Sequence, residues 1–250
     1  MEGSAITNQT RRRLLASTAA IGFATAVGGP AGARVISGAL PWAPNQVYPP
    51  EIVRPGPWRF FTAEEAAVVE AIADRLIPPD ELGAGGKDAG CAVFIDRQLM
   101  GPYGTNEWLY MEAPFVPDAP SNFGPQSPLT PRQRYREGLT ELAGYTKQAF
   151  GGKLFHQLDV SDQDAVLTGI EKGDLKIANG RAFFSQLQAN VVEGFFADPL
   201  YGGNKDMVGW KLVGFPGVRY DYRDVIANPN TPYTLPPVSL LGRGATEVSQ

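Results

Sequence analysis

The chain has 250 residues, of which 43% are hydrophobic and 19% charged, with a net charge of −4. That apolar share excludes a disordered chain, and the charge excludes a broad basic footprint for nucleic acid. One Cys and one His exclude an internal disulfide framework, a four-thiolate iron–sulfur site and a multi-histidine metal centre. With 29 Gly and 22 Pro, about a fifth of the chain breaks regular structure, against roughly 12% in average usage, so a loop-rich protein is expected.

The amino terminus reads as an address. Gln9-Thr10-Arg11-Arg12-Arg13-Leu14-Leu15 is a charged start, residues 17–29 are apolar and uncharged, and Ala31-Gly32-Ala33 forms an A-x-A cleavage site. The Arg11-Arg12 pair resembles the bacterial twin-arginine export signal, and the Ala/Gly-rich apolar run suits that route. An ordinary secretory signal and an uncleaved anchor helix are the alternatives. The run is short of the ~20 residues a membrane span needs. Cleavage after Ala33 removes three arginines and Glu2, which takes the net charge from −4 to −6. Such a chain has little attraction for anionic lipid.

Residues 34–59 form a proline-rich extended segment, with six prolines between positions 40 and 58. The first helix is expected over 62–77: Thr62 and Glu65 make a capping box, Ala66, Val69, Ile72, Ala73 and Leu76 share a face, and Pro78-Pro79 stops it. A Gly-rich turn leads to a second helix over about 88–100, with Ala92, Ile95 and Leu99 inward. Residues 101–131 contain seven prolines and read as loop. Thr130, Pro131 and Gln133 open a third helix that carries Tyr135, Leu139, Leu142, Thr146 and Ala149 to Gly151. Ser161 with Asp164 is expected to start a fourth, over 162–171. A fifth, over 179–196, sets Phe183, Phe184, Leu187, Val191 and Phe195 on one side. A short helical turn follows Asn204, and 212–250 read as an extended tail. The expected fold class is therefore all-α, a small irregular helical domain over 60–211 with about five helices and long Pro-rich loops. Loops of this length inside a small domain are unusual unless a partner orders them.

Motifs for chemistry are scarce. The dinucleotide fingerprint, the P-loop and the nucleophile elbow do not occur. His156 reads as a surface or half-buried histidine. Glu64, Glu65, Asp88, Asp96, Asp198 and Asp206 could support paired-carboxylate hydrolysis, though most lie at helix starts, where they complement the dipole. Cys91 opens a helix and reads either as a buried thiol or as an inter-subunit bridge. Residues 195–222 are dense in turn formers and aromatics. Tyr201, Trp210, Phe215, Tyr220 and Tyr222 there fit an interface or sugar-stacking surface, or a minor core under a long loop.

Several runs carry a family resemblance: Phe60-Phe61-Thr62, Ala73 to Pro78, Phe94-Ile95-Asp96, Asp198-Pro199-Leu200-Tyr201-Gly202-Gly203-Asn204-Lys205-Asp206, Gly209-Trp210 and Gly214-Phe215-Pro216-Gly217. Over roughly 60–225 the chain resembles the gluconate 2-dehydrogenase subunit 3 family. The resemblance implies a non-catalytic small subunit of a periplasmic, membrane-associated dehydrogenase. In such a complex a large flavoprotein subunit carries FAD and a cytochrome c subunit passes electrons on. FAD, and with it an iron–sulfur cluster and haem c, are thus implied on partner subunits and no cofactor on this chain. Membrane association is implied through partners alone. No catalytic, cofactor-binding or metal residue transfers. The candidate partner interface is Cys91, Tyr201, Gly202, Gly203, Asn204, Trp210, Phe215 and Pro216. The rival functions are a stand-alone secreted hydrolase using an acidic pair and a carbohydrate-binding envelope protein.

Overall fold

The structure is a computed structural model that describes residues 52–116, 119–124, 126–219, 222–226 and 230–242. Arg11, Arg12, Ala31, Ala33 and residues 34–51 lie outside the described residues. The described part belongs to one unit, Pro50–Gln250. It is all-α, with seven α-helices and no strand among the described residues: α1 Ala63–Leu76, α2 Cys91–Met100, α3 Pro102–Thr105, α4 Pro131–Ala149, α5 Val160–Lys172, α6 Gly180–Phe196 and α7 Val208–Val213. Among them no helix is long and apolar enough to cross a membrane.

The capping chemistry works as the sequence indicates at two helices. Thr62 Oγ1 accepts the Glu65 N–H at 3.2 Å and Glu65 Oε2 accepts the Thr62 N–H at 2.8 Å. Thr130 and Gln133 repeat the box at α4, with Pro131 in the first turn. At α5 the expected cap is corrected. Asp159 is the N-cap, accepting the Asp162 N–H at 2.9 Å and the Ser161 hydroxyl at 2.9 Å. A carboxylate is the stronger acceptor for an orphan N–H, so the hydroxyl serves as donor to it. Asp164, expected near the cap, instead forms a bidentate pair with Arg75 of α1 at 2.7 and 2.9 Å. The second helix starts at Cys91, three residues later than expected, because Ala89, Gly90 and Cys91 donate back into the Gly85–Lys87 turn. α3 was expected as loop. It has four residues, too few for a period to show, and Pro102 opens it.

α6 is the centre. It packs against α1, α2, α4, α5 and α7, and its Phe183, Phe184, Leu187, Val191 and Phe195 are all buried. Tyr135 of α4 meets Phe183 edge-to-face at 5.6 Å. Gly138 lets α4 approach, since a Cβ there would lie 2.2 Å from Phe183 Cγ. One polar cluster runs from this core to the surface, with Tyr135 and Asn190 buried, Tyr103 half-buried and Glu193 exposed. The hydroxyls of Tyr103 and Tyr135 donate to Asn190 Oδ1 at 3.1 and 3.0 Å, and Asn190 Nδ2 donates to Glu193 Oε2 at 2.9 Å. Burial pushes both tyrosine hydroxyls above their ordinary pKa, so both remain proton donors.

The entry of the chain is fixed by two acids. Asp96, fully buried on α2, accepts the backbone N–H groups of Arg59 at 3.0 Å and of Phe60 and Phe61 at 2.9 Å, and pairs with Arg97. Glu65 pairs with Arg136 of α4, whose other amine donates to Phe60 O at 2.8 Å and whose guanidinium lies 4.2 Å from the Phe60 ring centre. Burial alone would raise the Glu65 pKa. The Arg136 hydrogen bond, the Thr62 N–H and the Arg136 charge outweigh it and hold the group below its ordinary 4.5.

Two outcomes follow. Asp96→Asn should lower unfolding free energy by roughly 3 kcal/mol, since a buried amide must then replace the carboxylate that three backbone N–H groups and Arg97 share; urea titration measures it. For Glu65 the folded pKa is depressed, so its contribution is present above the ordinary carboxylate value and is lost as pH falls through the folded one. Urea unfolding of Glu65→Gln should show a deficit of about 1 kcal/mol at pH 7, shrinking as pH falls through the depressed folded pKa.

Candidate functional site

The last carbonyls of any α-helix lack partners within the helix. α6 ends on Phe196, and the segment that follows returns to supply donors. Trp210 Nε1 donates to Phe196 O at 2.8 Å, and Asn204 Nδ2 donates to Ala197 O at 2.8 Å. Asn204 Oδ1 in turn accepts the Gly209 N–H at 2.8 Å, at the start of α7. The Asn204 side chain is 0% exposed, and its backbone is left-handed with φ 45°, a conformation asparagine tolerates better than most residues.

Glycines make this return possible. Gly202 has φ 91°, and a Cβ on Gly203 would lie 2.2 Å from the Gly194 carbonyl oxygen. Asp206 and Met207 also have positive φ, 56° and 58°. For side-chain-bearing residues such backbone costs of order 1 kcal/mol each, and the Asn204, Trp210 and Lys205 bonds hold it in place.

The same segment gathers distant parts of the chain. Asp198 Oδ1 accepts the Leu200 N–H at 2.9 Å, capping the short turn Pro199–Tyr201, while Oδ2 accepts the Leu240 N–H at 2.8 Å. Leu200 O accepts the Val53 N–H at 3.0 Å, and Ala89 O, just before α2, accepts the Lys205 N–H at 3.0 Å. Gly217 and Val238 form a parallel bridge. The expected extended tail thus begins after α7, at Gly214, and its described portion docks beside Asp198.

The structure sorts the residues singled out by sequence. Gly203, Asn204 and Trp210 are buried and build the turn. Tyr201 and Phe215 are exposed, and Gly202 and Pro216 are half-buried. Phe215 stands edge-on to Trp210 at 5.2 Å. Leu212, Val213, Val218 and Leu240 are exposed as well, and sequence reasoning missed them because it weighted aromatics. Cys91 is corrected: it is fully buried, its thiol lies 3.5 Å from Val191 O, and burial, reinforced by the Asp74 charge, pushes its pKa up to about 12. A thiol so placed is a poor nucleophile and does not face a partner surface. Tyr220 lies outside the described residues.

Three acids of the hydrolytic reading have structural roles. Asp96, Asp198 and Glu65 are each engaged by backbone N–H groups in the structural roles given above. Among the described residues no three of His, Cys, Asp and Glu converge on a metal-sized site. His156 sits half-buried in the turn Phe155–Gln157, its Nδ1 enclosed with no hydrogen-bond partner among the described residues.

The domain is thus a small helical unit whose glycine-rich turn clamps one helix end beneath an exposed apolar face. The profile of the gluconate 2-dehydrogenase subunit 3 family matches residues 63–217, from the start of α1 through that turn, and the chain belongs to this family. The family is a subunit of multi-subunit gluconate dehydrogenase complexes. Searches of curated proteins and of solved structures returned no match.

Asn204→Ala should destabilise the domain by roughly 3 kcal/mol, leaving Ala197 O and Gly209 N–H unpaired and straining the left-handed backbone. Asn204→Gly should recover the backbone share alone and fall between wild type and alanine. Thermal unfolding of the three proteins orders them.

Proposed function

We propose that this chain is the non-catalytic small subunit of a periplasmic FAD-dependent dehydrogenase of the gluconate 2-dehydrogenase type. It binds the flavoprotein subunit, aids its maturation and carries it through the twin-arginine route on the signal at residues 9–33. FAD resides on that partner, and a cytochrome c subunit, with haem c, completes a three-subunit assembly at the membrane. The chain has a chaperone-like role in assembly and no catalytic residue of its own.

The observation that carries this reading is the apolar face over the glycine-rich turn. Tyr201, Leu212, Val213 and Phe215 are exposed, while Asn204, Asp198 and Trp210 hold the backbone beneath them rigid. Apolar side chains exposed on a hydrogen-bonded backbone lose little entropy on docking, which suits a protein interaction site. Twin-arginine export moves folded proteins, which suits a subunit escorting a flavin-loaded partner.

Replacing Arg11 and Arg12 with lysine should leave both this chain and the flavoprotein in the cytoplasmic fraction, read by immunoblot and by dehydrogenase activity of each fraction. A flavoprotein still exported in that strain would defeat the escort role.

A further inference from the structure

A second set of exposed apolar side chains lies on the loop between α3 and α4. Residues 106–116 are held in shape by bonds within the loop. The Glu107 N–H donates to Pro102 O at 3.0 Å and the Leu109 N–H to Asn106 O at 2.9 Å. The Asn106 side chain reaches Met111 Sδ at 3.2 Å. At the far end the Val116 N–H donates to Gln126 Oε1 at 2.9 Å. The base is anchored in the core, where Tyr103 of α3 donates to Asn190 of α6. On this frame Trp108 is 80% and Tyr110 81% exposed, with Leu109, Val116 and Phe123 also exposed. So much apolar surface left in water contributes nothing to folding. Trp and Tyr are the side chains that dominate binding energy when a pocket takes them out of water.

Charge narrows the occupant. Residues 98–131 contain no Lys or Arg but carry Glu107, Glu112 and Asp118. Glu107 and Glu112 are exposed and bracket Trp108-Leu109-Tyr110-Met111 directly. We propose that this loop is a preformed plug that inserts Trp108 and Tyr110 into an apolar cleft rimmed by lysine or arginine on a partner protein. On the reading given under Proposed function, on which this inference rests, that partner is the flavoprotein subunit. Aromatic side chains also suit a bilayer interface, but an anionic leaflet repels the acidic bracket and the loop has no cation to hold it there. Complementary charge at the rim would act chiefly on the association rate, and salt would screen it.

The test uses the full chain co-expressed and purified with its flavoprotein subunit, compared with Trp108→Ala/Tyr110→Ala and Glu107→Lys/Glu112→Lys. Since all four side chains are exposed, both variants should unfold at the wild-type temperature. The double alanine variant should weaken the Kd for the flavoprotein at least tenfold, mainly through faster dissociation. The charge-reversed variant should associate severalfold more slowly at low salt and lose the slowing that salt imposes on wild type. Wild-type affinity and rates in both variants would overturn this inference while leaving the escort function standing. Loss of binding to vesicles of phosphatidylcholine and phosphatidylglycerol by the alanine variant, with flavoprotein affinity unchanged, would overturn it in favour of a bilayer. A wild-type chain that retains no flavoprotein would overturn both readings.

Discussion

The end of α6 constrains the rest of the molecule. A helix terminus buried beneath other segments must have its carbonyls paired, or each costs roughly 1–3 kcal/mol. Here the donors are two side chains, Asn204 and Trp210, which arrive from eight to fourteen residues downstream of α6's last turn and only fit because the intervening backbone turns sharply. The spacing Asp-Pro-Leu-Tyr-Gly-Gly-Asn, followed by Gly-Trp, is what that turn requires. The proline and aspartate start a short turn, the first glycine reverses the chain at φ 91°, and the second passes within contact of the Gly194 carbonyl. The asparagine then closes on both sides at once. A side chain at the second glycine position would push the turn off α6 and leave both carbonyls without donors.

Because this joint also accepts the Val53 N–H and, through Asp198, the Leu240 N–H, it ties the beginning and the end of the described chain to one helix terminus. The entry segment is secured again at Asp96, which gathers three consecutive N–H groups. That arrangement resembles an anion-binding nest filled by the protein's own carboxylate. Segments with many prolines and little secondary structure would otherwise be expected to float. Their order comes from a few buried acceptors with several donors each, which is a different economy from the apolar packing that holds α1, α2, α4 and α6.

The helices were legible because their signals are local. Capping boxes at Thr62 and Thr130, the apolar face of α1 and the Phe183–Phe195 stripe of α6 need only the residues at those positions. What the sequence did not disclose is non-local. Asp159 outcompetes Ser161 as a cap because its carboxylate is the stronger acceptor, and Asp164, which the local pattern assigned to that cap, pairs with Arg75, eighty-nine residues away. Asp96 gave no sign that it would be buried, since its partners are backbone N–H groups with no side-chain signature. The motif at 198–217 was legible as important through its composition, but its aromatic residues divide between builder and surface: Trp210 faces inward to a carbonyl and Phe215 outward. Composition alone cannot assign that direction. Cys91 carried the same ambiguity, and packing against Val191 resolved it inward.

Both exposed apolar regions are mounted on α6. One sits on its C-terminal clamp; the other is the loop after α3, fixed through Tyr103 to Asn190 two turns before the helix end. Asn190 is the reason the second attachment is rigid. Its amide oxygen takes two tyrosine donors and its nitrogen meets Glu193, so rotating it would break three bonds around an amide that is itself buried. A polar cluster of this kind contributes little net stability compared with an apolar core. What it supplies is a single geometry. The proline-rich loop cannot pack like a helix, and the tyrosine–asparagine contact gives it a fixed footing on the element that already fixes everything else.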